Sequence, residues 1–186
     1  NGIVGAHHLS LPLDLFKNNT ILCTPGPRLR KLGKEMKSCV LTNTTGDLNI
    51  LHELSKRILA NIEYSKGKTD TSTTAEMAME IGAGVCQDHV HAFIAVARFL
   101  GFSARYVSGY LLMQGSKIQD ASHAWAEVHI NELGWVGFDI SNGISPNDCY
   151  VKLATGFDYS DVIPLSGVRF GNGKEQIVTR IMISQQ

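Results

Sequence analysis

Three side chains have the types and the order of a nucleophile, a base and an orienting acid: Cys86, His123 and Asp139. Cys86 follows Gly84-Val85 and begins an apolar stretch with helical period, which predicts that its thiol lies in the first turn of a buried helix. The positive end of the helix dipole and the unpaired N–H groups of that turn favour a thiolate and could bind an oxyanion. Cys86 is therefore a candidate nucleophile.

The candidate base and acid lie on two strand-like runs that are predicted to be neighbours, His123 to Ile130 and Trp135 to Ile140. A three-residue loop, Asn131 to Leu133, would close them into a hairpin. Position 125 then pairs with position 139, and both share a face with His123. The Asp139 carboxylate would accept the imidazole N–H and support the imidazolium, as the acid of a catalytic triad does. An even-length loop would break this arrangement.

Each of these residues also has a purely structural explanation. A lone cysteine in a helix is usually a small buried hydrophobic residue, and a lone histidine or aspartate on a strand is no stronger evidence. Only the joint placement of thiol, imidazole and carboxylate favours catalysis. His89 and His91 lie about 200° apart around a helix and cannot bind one metal ion from the same face, so surface or supporting roles are expected. We expect no metal and no cofactor.

The sequence of the first part of the chain predicts few helices or strands. Residues 1–47 contain several prolines and glycines and read as an irregular N-terminal segment, in which Arg28 to Met36 could form a short basic helix. Apolar residues then recur at three- and four-residue spacing from Leu48 to about Tyr64, with Asp47 as the N-cap. We therefore divide the chain into this segment and a catalytic domain, 48–186.

The elements that follow predict an α+β fold. Thr73 and Glu76 form a capping box for a short helix that ends at Ile81. The helix of Cys86 runs to Leu100, and Ser103 to Met113 forms a strand before the hairpin. Because the helices precede the strands, a helical layer packed on an antiparallel sheet is favoured over alternating βαβ units.

Composition restricts the classes of partner. Seventeen basic residues balance 17 acidic ones, so net charge indicates no nucleic acid and no anionic lipid as a partner. No run approaches the roughly 20 apolar residues of a membrane span.

The four cysteines contain no C-x-x-C pair, and they cannot all form disulfides if one is a nucleophile, which favours a reducing, cytoplasmic location. The chain begins with Asn rather than Met, so an upstream domain or export signal is expected to be missing.

Four motifs together resemble the bacterial transglutaminase-like proteins often described as cysteine proteases. They are the cysteine motif GVCQDHVH at 84–91, the sequence LGFSARYVSGY at 100–110, the histidine motif SHAWAEV at 122–128 and the aspartate motif GWVGFD at 134–139. A further segment, GFDYSDVIP at 156–164, is also similar. The resemblance extends roughly from residue 13 to the C-terminus and implies a papain-like α+β fold with Cys86, His123 and Asp139 as the catalytic triad.

The resemblance also implies supporting residues. It places Gln87, Asp88 and His91 in or beside the cysteine motif, where we expect supporting rather than chemical roles. Trp125 is expected to pack beside the site or to line the substrate.

This chain departs from the family pattern at two sites and in its domain content. His89 replaces an aromatic residue that is common in the family, and Ile140-Ser141-Asn142 replaces the more usual Pro-Thr-Asn. The usual N-terminal β-rich domain is not found in this sequence, and the substrate that such a domain would help to recognise stays undetermined.

The chemistry implied is acyl transfer through a thioester on Cys86, on a peptide or glutamine-type amide of a peptide or protein substrate. Water as the acceptor makes a peptidase or amidase, whereas an amine makes a cross-linking transglutaminase. We favour hydrolysis slightly, because no lysine-binding tunnel can be identified in the sequence. A non-catalytic binding module that keeps the fold and a redox-sensing thiol are the alternatives. The oligomeric state is not predicted.

Overall fold

The computed structural model describes residues 11–42, 46–112, 118–119, 122–163 and 181–182. The helices are α1 (Pro27–Thr42), α2 (Gly46–Asn61), α3 (Ala75–Ile81) and α4 (Cys86–Phe99), with 3-10 turns at Leu13–Lys17 and Tyr159–Val162. The strands are β1 (Glu63–Tyr64), β2 (Ala83–Gly84), β3 (Ala104–Leu111), β4 (Ile118–Gln119), β5 (His123–Ile130), β6 (Gly134–Phe138), β7 (Tyr150–Gly156) and β8 (Ile181–Met182). The predicted end of the third strand-like run, Met113, lies outside the described residues.

The main sheet is antiparallel, with the strand order β6-β5-β3-β7. One face of β5, formed by Ala124, Ala126 and Val128, is buried in the same apolar core as Phe93 and Ile94 of α4. The α+β prediction of helices packed on an antiparallel sheet is therefore confirmed. In the parts of the chain that the structure describes, none of the helices has the length and apolar character needed to span a bilayer.

The hairpin of β5 and β6 has the predicted register. Ile130 pairs with Gly134 and Ala126 with Phe138, so the loop between the strands is Asn131 to Leu133. The same register, continued by one residue, brings position 125 opposite 139. The side-chain period of two then puts the side chains of positions 123, 125 and 139 on one face.

The prediction that residues 1–47 form an irregular segment is wrong in part, because they contain helix α1. It runs from Pro27 to Thr42, longer than the predicted helix of residues 28–36, and buries Leu29, Leu32 and Met36 in the core. Glu76 of α3 caps its first turn, because the carboxylate accepts hydrogen bonds from the backbone N–H groups of residues 28 and 29 at 2.8 and 3.2 Å. The predicted helix was too short because exposed basic side chains give this segment a polar composition, although its buried residues follow helical period.

Glu76 therefore caps α1 and not its own helix. The N-cap of α3 is Thr74, whose hydroxyl accepts from the N–H of Met77 at 3.3 Å. Thr73, the predicted cap, instead accepts from the N–H of Asp70 at 3.0 Å. The predicted stop is confirmed, since Gly82 ends α3 in the left-handed conformation with a φ of 71°.

Strand β7 was not predicted from the sequence. Residues 151–155 are all exposed, so β7 lacks the alternation of apolar and polar residues that marks a half-buried strand. It pairs antiparallel with β3 at the edge of the sheet, with a shift in register between Ser108 and Gly109. A Cβ at Gly109 would lie 2.1 Å from the Val151 carbonyl oxygen and 2.7 Å from the ring of Trp125, so only glycine fits there.

Candidate active site

Cys86 is the first residue of α4, as predicted, and its loop is held by Asp88. One carboxylate oxygen of Asp88, Oδ2, accepts hydrogen bonds from the backbone N–H of Val85 and from the hydroxyl of Thr69, both at 2.7 Å. A Cβ at Gly84 would come within 2.6 Å of the same oxygen. Asp88 therefore fixes the backbone conformation just before Cys86, and the close packing of its carboxylate explains why residue 84 is a glycine.

A short parallel pair of strands, β1 and β2, positions the chain immediately before Cys86. The N–H of Ser65 donates to the Gly84 carbonyl oxygen at 2.7 Å, and the N–H of Glu63 donates to that of Gly82 at 2.9 Å. This pairing brings Tyr64 to the site. Burial and the negative charges of Cys86 and Asp139 raise the pKa of Tyr64, a residue that is still 48% exposed.

His123 and Asp139 form a direct pair. The Nε2 atom of His123 lies 2.6 Å from the Oδ2 atom of Asp139. The Asp139 side chain is fully buried, whereas the imidazole keeps 15% of its surface exposed. Since Nε2 faces the carboxylate, Nδ1 is the ring nitrogen left for another partner.

The charges of this pair reinforce each other. Burial alone would lower the pKa of His123, but hydrogen bonds with Asp139 and Cys86 and the negative charges of both raise it to about 9. Burial alone would raise the pKa of Asp139, but its hydrogen bonds and the His123 charge hold it below its usual value. At neutral pH the pair is an imidazolium and a carboxylate.

The Asp139 carboxylate has two further donors that sequence reasoning missed. The hydroxyl of Tyr150 and the side-chain amide of Asn142 each donate to Oδ2 at 2.7 Å. The backbone N–H of Asn142 lies 3.2 Å from Oδ1. An asparagine three residues after a strand-ending aspartate is a recognisable turn signal. Nothing in the sequence pointed to Tyr150, which reaches the site from β7.

The predicted supporting residues of α4 differ in their surroundings. Gln87 points its side-chain amide at the Thr71 carbonyl oxygen, at a long 3.5 Å. His91 is completely buried, accepts from the N–H of Tyr159 at 3.3 Å and packs on the ring of Tyr106. Burial lowers the pKa of His91 to about 4, so the ring is neutral at physiological pH. The described contacts of His91 are with the core, and they indicate a structural role.

Trp125 packs behind the imidazole. Its ring meets Tyr150 edge to face at 5.4 Å between centroids and stacks at 6.5 Å from His123. Only 2% of Trp125 is exposed, which favours packing over a direct substrate contact.

The described residues contain no group of three or more His, Cys, Asp or Glu side chains that could bind a metal ion. Cys23, Cys86 and Cys149 are free thiols, and Cys23 is buried. The side chain of the fourth cysteine, Cys39, lies outside the described residues.

Comparison with known proteins agrees with the resemblance noted in the sequence. Residues 34–140 match the family model of the transglutaminase-like superfamily. The crystal structure of a "Putative Cysteine Protease" from Cytophaga hutchinsonii superposes with a TM-score of 0.70 at 26% identity, over 96% of this chain and 58% of that one. The periplasmic domain of TgpA from Pseudomonas aeruginosa shares the fold, with a TM-score of 0.54 at 21% identity over 71% of this chain and 49% of that one.

Curated relatives are longer than this chain. An uncharacterised protein of Mycobacterium leprae is 31% identical over 72% of this chain and 52% of its own length. An uncharacterised protein of Mycobacterium tuberculosis is 33% identical over 70% of this chain and 45% of its own length. This chain therefore spans about half the length of these relatives.

Proposed function

Since the chain belongs to the transglutaminase-like superfamily, we propose that it is a cysteine-nucleophile enzyme that transfers acyl groups from amide bonds through a thioester. Its catalytic triad is Cys86, His123 and Asp139. One observation carries the proposal: the Nε2 atom of His123 lies 2.6 Å from the buried Asp139 carboxylate, and the pKa of His123 is raised by that carboxylate and by Cys86, the first residue of α4. An imidazolium that is paired with a carboxylate and lies beside a cysteine stabilises the thiolate, which is the nucleophile.

The first half-reaction forms the thioester. The Cys86 thiolate attacks the amide carbonyl carbon, and the oxygen takes up the negative charge of the tetrahedral intermediate. We propose that backbone N–H groups at the start of α4 bind that oxyanion, because the first N–H groups of a helix have no partner within the helix. The His123 imidazolium then donates its proton to the leaving nitrogen, the C–N bond breaks and an amine or ammonia departs.

The second half-reaction releases the acyl group. His123, now neutral, takes a proton from the acceptor as it attacks the thioester carbonyl. The C–S bond breaks and the Cys86 thiolate and the imidazolium are restored. Asp139 keeps the Nε2 proton of His123 in place during both steps, and Tyr150 and Asn142 keep the carboxylate oriented.

We favour water as the acceptor, so that the enzyme is a peptidase or amidase acting on a peptide or protein. Water reaches any open thioester, whereas an amine donor needs binding groups of its own. The cross-linking transglutaminase uses the same triad and differs only in the acceptor. The chain spans about half the length of the relatives it matches, and the proposal names the substrate only by this class.

A product assay tests this proposal. The protein is incubated with glutamine-containing peptides, with and without a labelled primary amine, and the products are read by mass spectrometry. We expect cleaved or deamidated peptides and no incorporated label. Cys86→Ala should abolish these products, and Cys149→Ser, which changes another half-buried free thiol, should not. Label incorporation would overturn the preference for hydrolysis, and products that survive Cys86→Ala would overturn the nucleophile.

A further inference from the structure

A second histidine, His89, lies one helical turn after Cys86 and takes no part in the proposed chemistry. It is completely buried. Its Nδ1 atom lies 2.8 Å from the hydroxyl oxygen of Ser141, and its Nε2 atom lies 2.8 Å from the Ile62 carbonyl oxygen. Because a carbonyl oxygen only accepts, Nε2 carries the proton and Nδ1 accepts from the Ser141 hydroxyl. Burial lowers the pKa of His89, in keeping with this neutral ring.

Ser141 belongs to the tight turn that carries Asp139. Two backbone hydrogen bonds between Asp139 and Ile144, at 2.8 and 3.2 Å, close the turn. Asn142 binds back to the Asp139 carboxylate, and Gly143 has the positive φ of 66° that the turn requires. With so many internal bonds the turn is a stiff unit, so a contact that holds Ser141 also holds Asp139.

The other partner of His89, Ile62, lies in the segment between α2 and β1. Ile62 follows α2 and leads directly into β1, which pairs with β2 just before Cys86. The imidazole thus joins the segment that positions the cysteine loop to the turn that positions the acid. His89, which makes both contacts, lies on α4, the helix that begins with Cys86.

We propose that His89 is a positioning residue: through Ile62 and Ser141 it fixes the turn of Asp139 relative to Cys86. Residues 89 and 141 lie 52 positions apart in the sequence and contact each other directly. The role rests on the proposed function, because it takes His123 and Asp139 as the working pair.

The titration midpoint of the His123 ring, measured by NMR, tests this role. In Ser141→Ala the turn loses its bond to His89, and we expect the His123 midpoint to fall by about half to one pH unit as its bond to Asp139 loosens. Ser141→Thr keeps the hydroxyl and should restore the parent midpoint. A role in stability alone would lower the melting temperature of Ser141→Ala and leave the midpoint unchanged, which would overturn the proposal.

His89→Phe tests the contact from its other end. If both residues act through one hydrogen bond, the double variant His89→Phe with Ser141→Ala should shift the His123 midpoint no further than the larger single change. Additive shifts would overturn the coupling. A parent protein without the raised midpoint near 9 would contradict the triad itself. A raised parent midpoint that Ser141→Ala leaves in place would remove only the role of His89.

Discussion

The substitution Asp139→Asn removes the negative charge of the acid and keeps the size of its side chain. The amide has the size of the carboxylate, and its single oxygen can accept two of the hydrogen bonds that Asp139 receives, so the turn keeps part of its contacts with Tyr150 and Asn142. What is lost is the negative charge next to the His123 ring, whose Nε2 lies 2.6 Å away. The change therefore tests the electrostatic part of the site.

The expected size of the effect follows from the raised pKa of His123. A pKa of about 9 in place of the usual 6.5 corresponds to roughly 3 kcal/mol in favour of the imidazolium. Burial opposes this charge and remains in the variant, while the Cys86 thiolate supports it. We therefore expect the pKa of His123 to fall by about one to two units in Asp139→Asn. Turnover should fall on the order of 10²- to 10⁴-fold, as in hydrolase triads.

Two measurements on one pair of variants check this expectation. NMR titration reports the pKa of His123, and the peptide assay reports turnover. Asp14→Asn is the matched control, because Asp14 is exposed and pairs with Lys17 at the surface. A His123 pKa that stays near 9 in Asp139→Asn, with a folded protein, would refute the assignment of the raised pKa to this carboxylate.

Three further predictions follow from packing, charge and composition. Gly109→Ala puts a Cβ 2.1 Å from the Val151 carbonyl oxygen, so it should destabilise the fold by about 1–3 kcal/mol; an unchanged melting temperature would contradict the close packing there. Because the pKa of His123 is raised from 6.5 to about 9, its stabilisation is complete below pH 6.5 and lost as the pH rises through 9. The melting temperature should therefore fall over that range, and less steeply in His123→Gln; equal slopes would argue against the pair. Calcium should not be required, because the sequence has no acidic loop of EF-hand type; activity lost with EGTA and restored by calcium would disprove this.

The hairpin that carries His123 and Asp139 could be predicted because its rules are local. An odd-length loop with a glycine after it sets the register, and the period of two sets the face. The position of Cys86 was likewise predictable, since Gly82 ends one helix and the apolar period of the next begins soon after. The order of the motifs then suggested which residues meet.

Features that depend on distant contacts could not be predicted in this way. Glu76 caps α1 across 48 residues of sequence, so the local pattern assigned it to the wrong helix. Tyr150 reaches Asp139 only because β7 adds to the edge of β3. The link from His89 to Ser141 spans 52 residues and joins two positions that looked unrelated. Each was set by tertiary packing rather than by local preference.

The most direct test of the triad is the rate at which iodoacetamide alkylates Cys86 at pH 6, read by peptide mass spectrometry against Cys149. Both thiols are half-buried and free, so Cys149 serves as an internal reference. We predict fast labelling that is selective for Cys86 in the parent and slows in His123→Ala, because the imidazolium stabilises the reactive thiolate. Labelling of Cys86 that is no faster than that of Cys149, or that is indifferent to His123, would contradict the thiolate–imidazolium pair and favour the non-catalytic binding module.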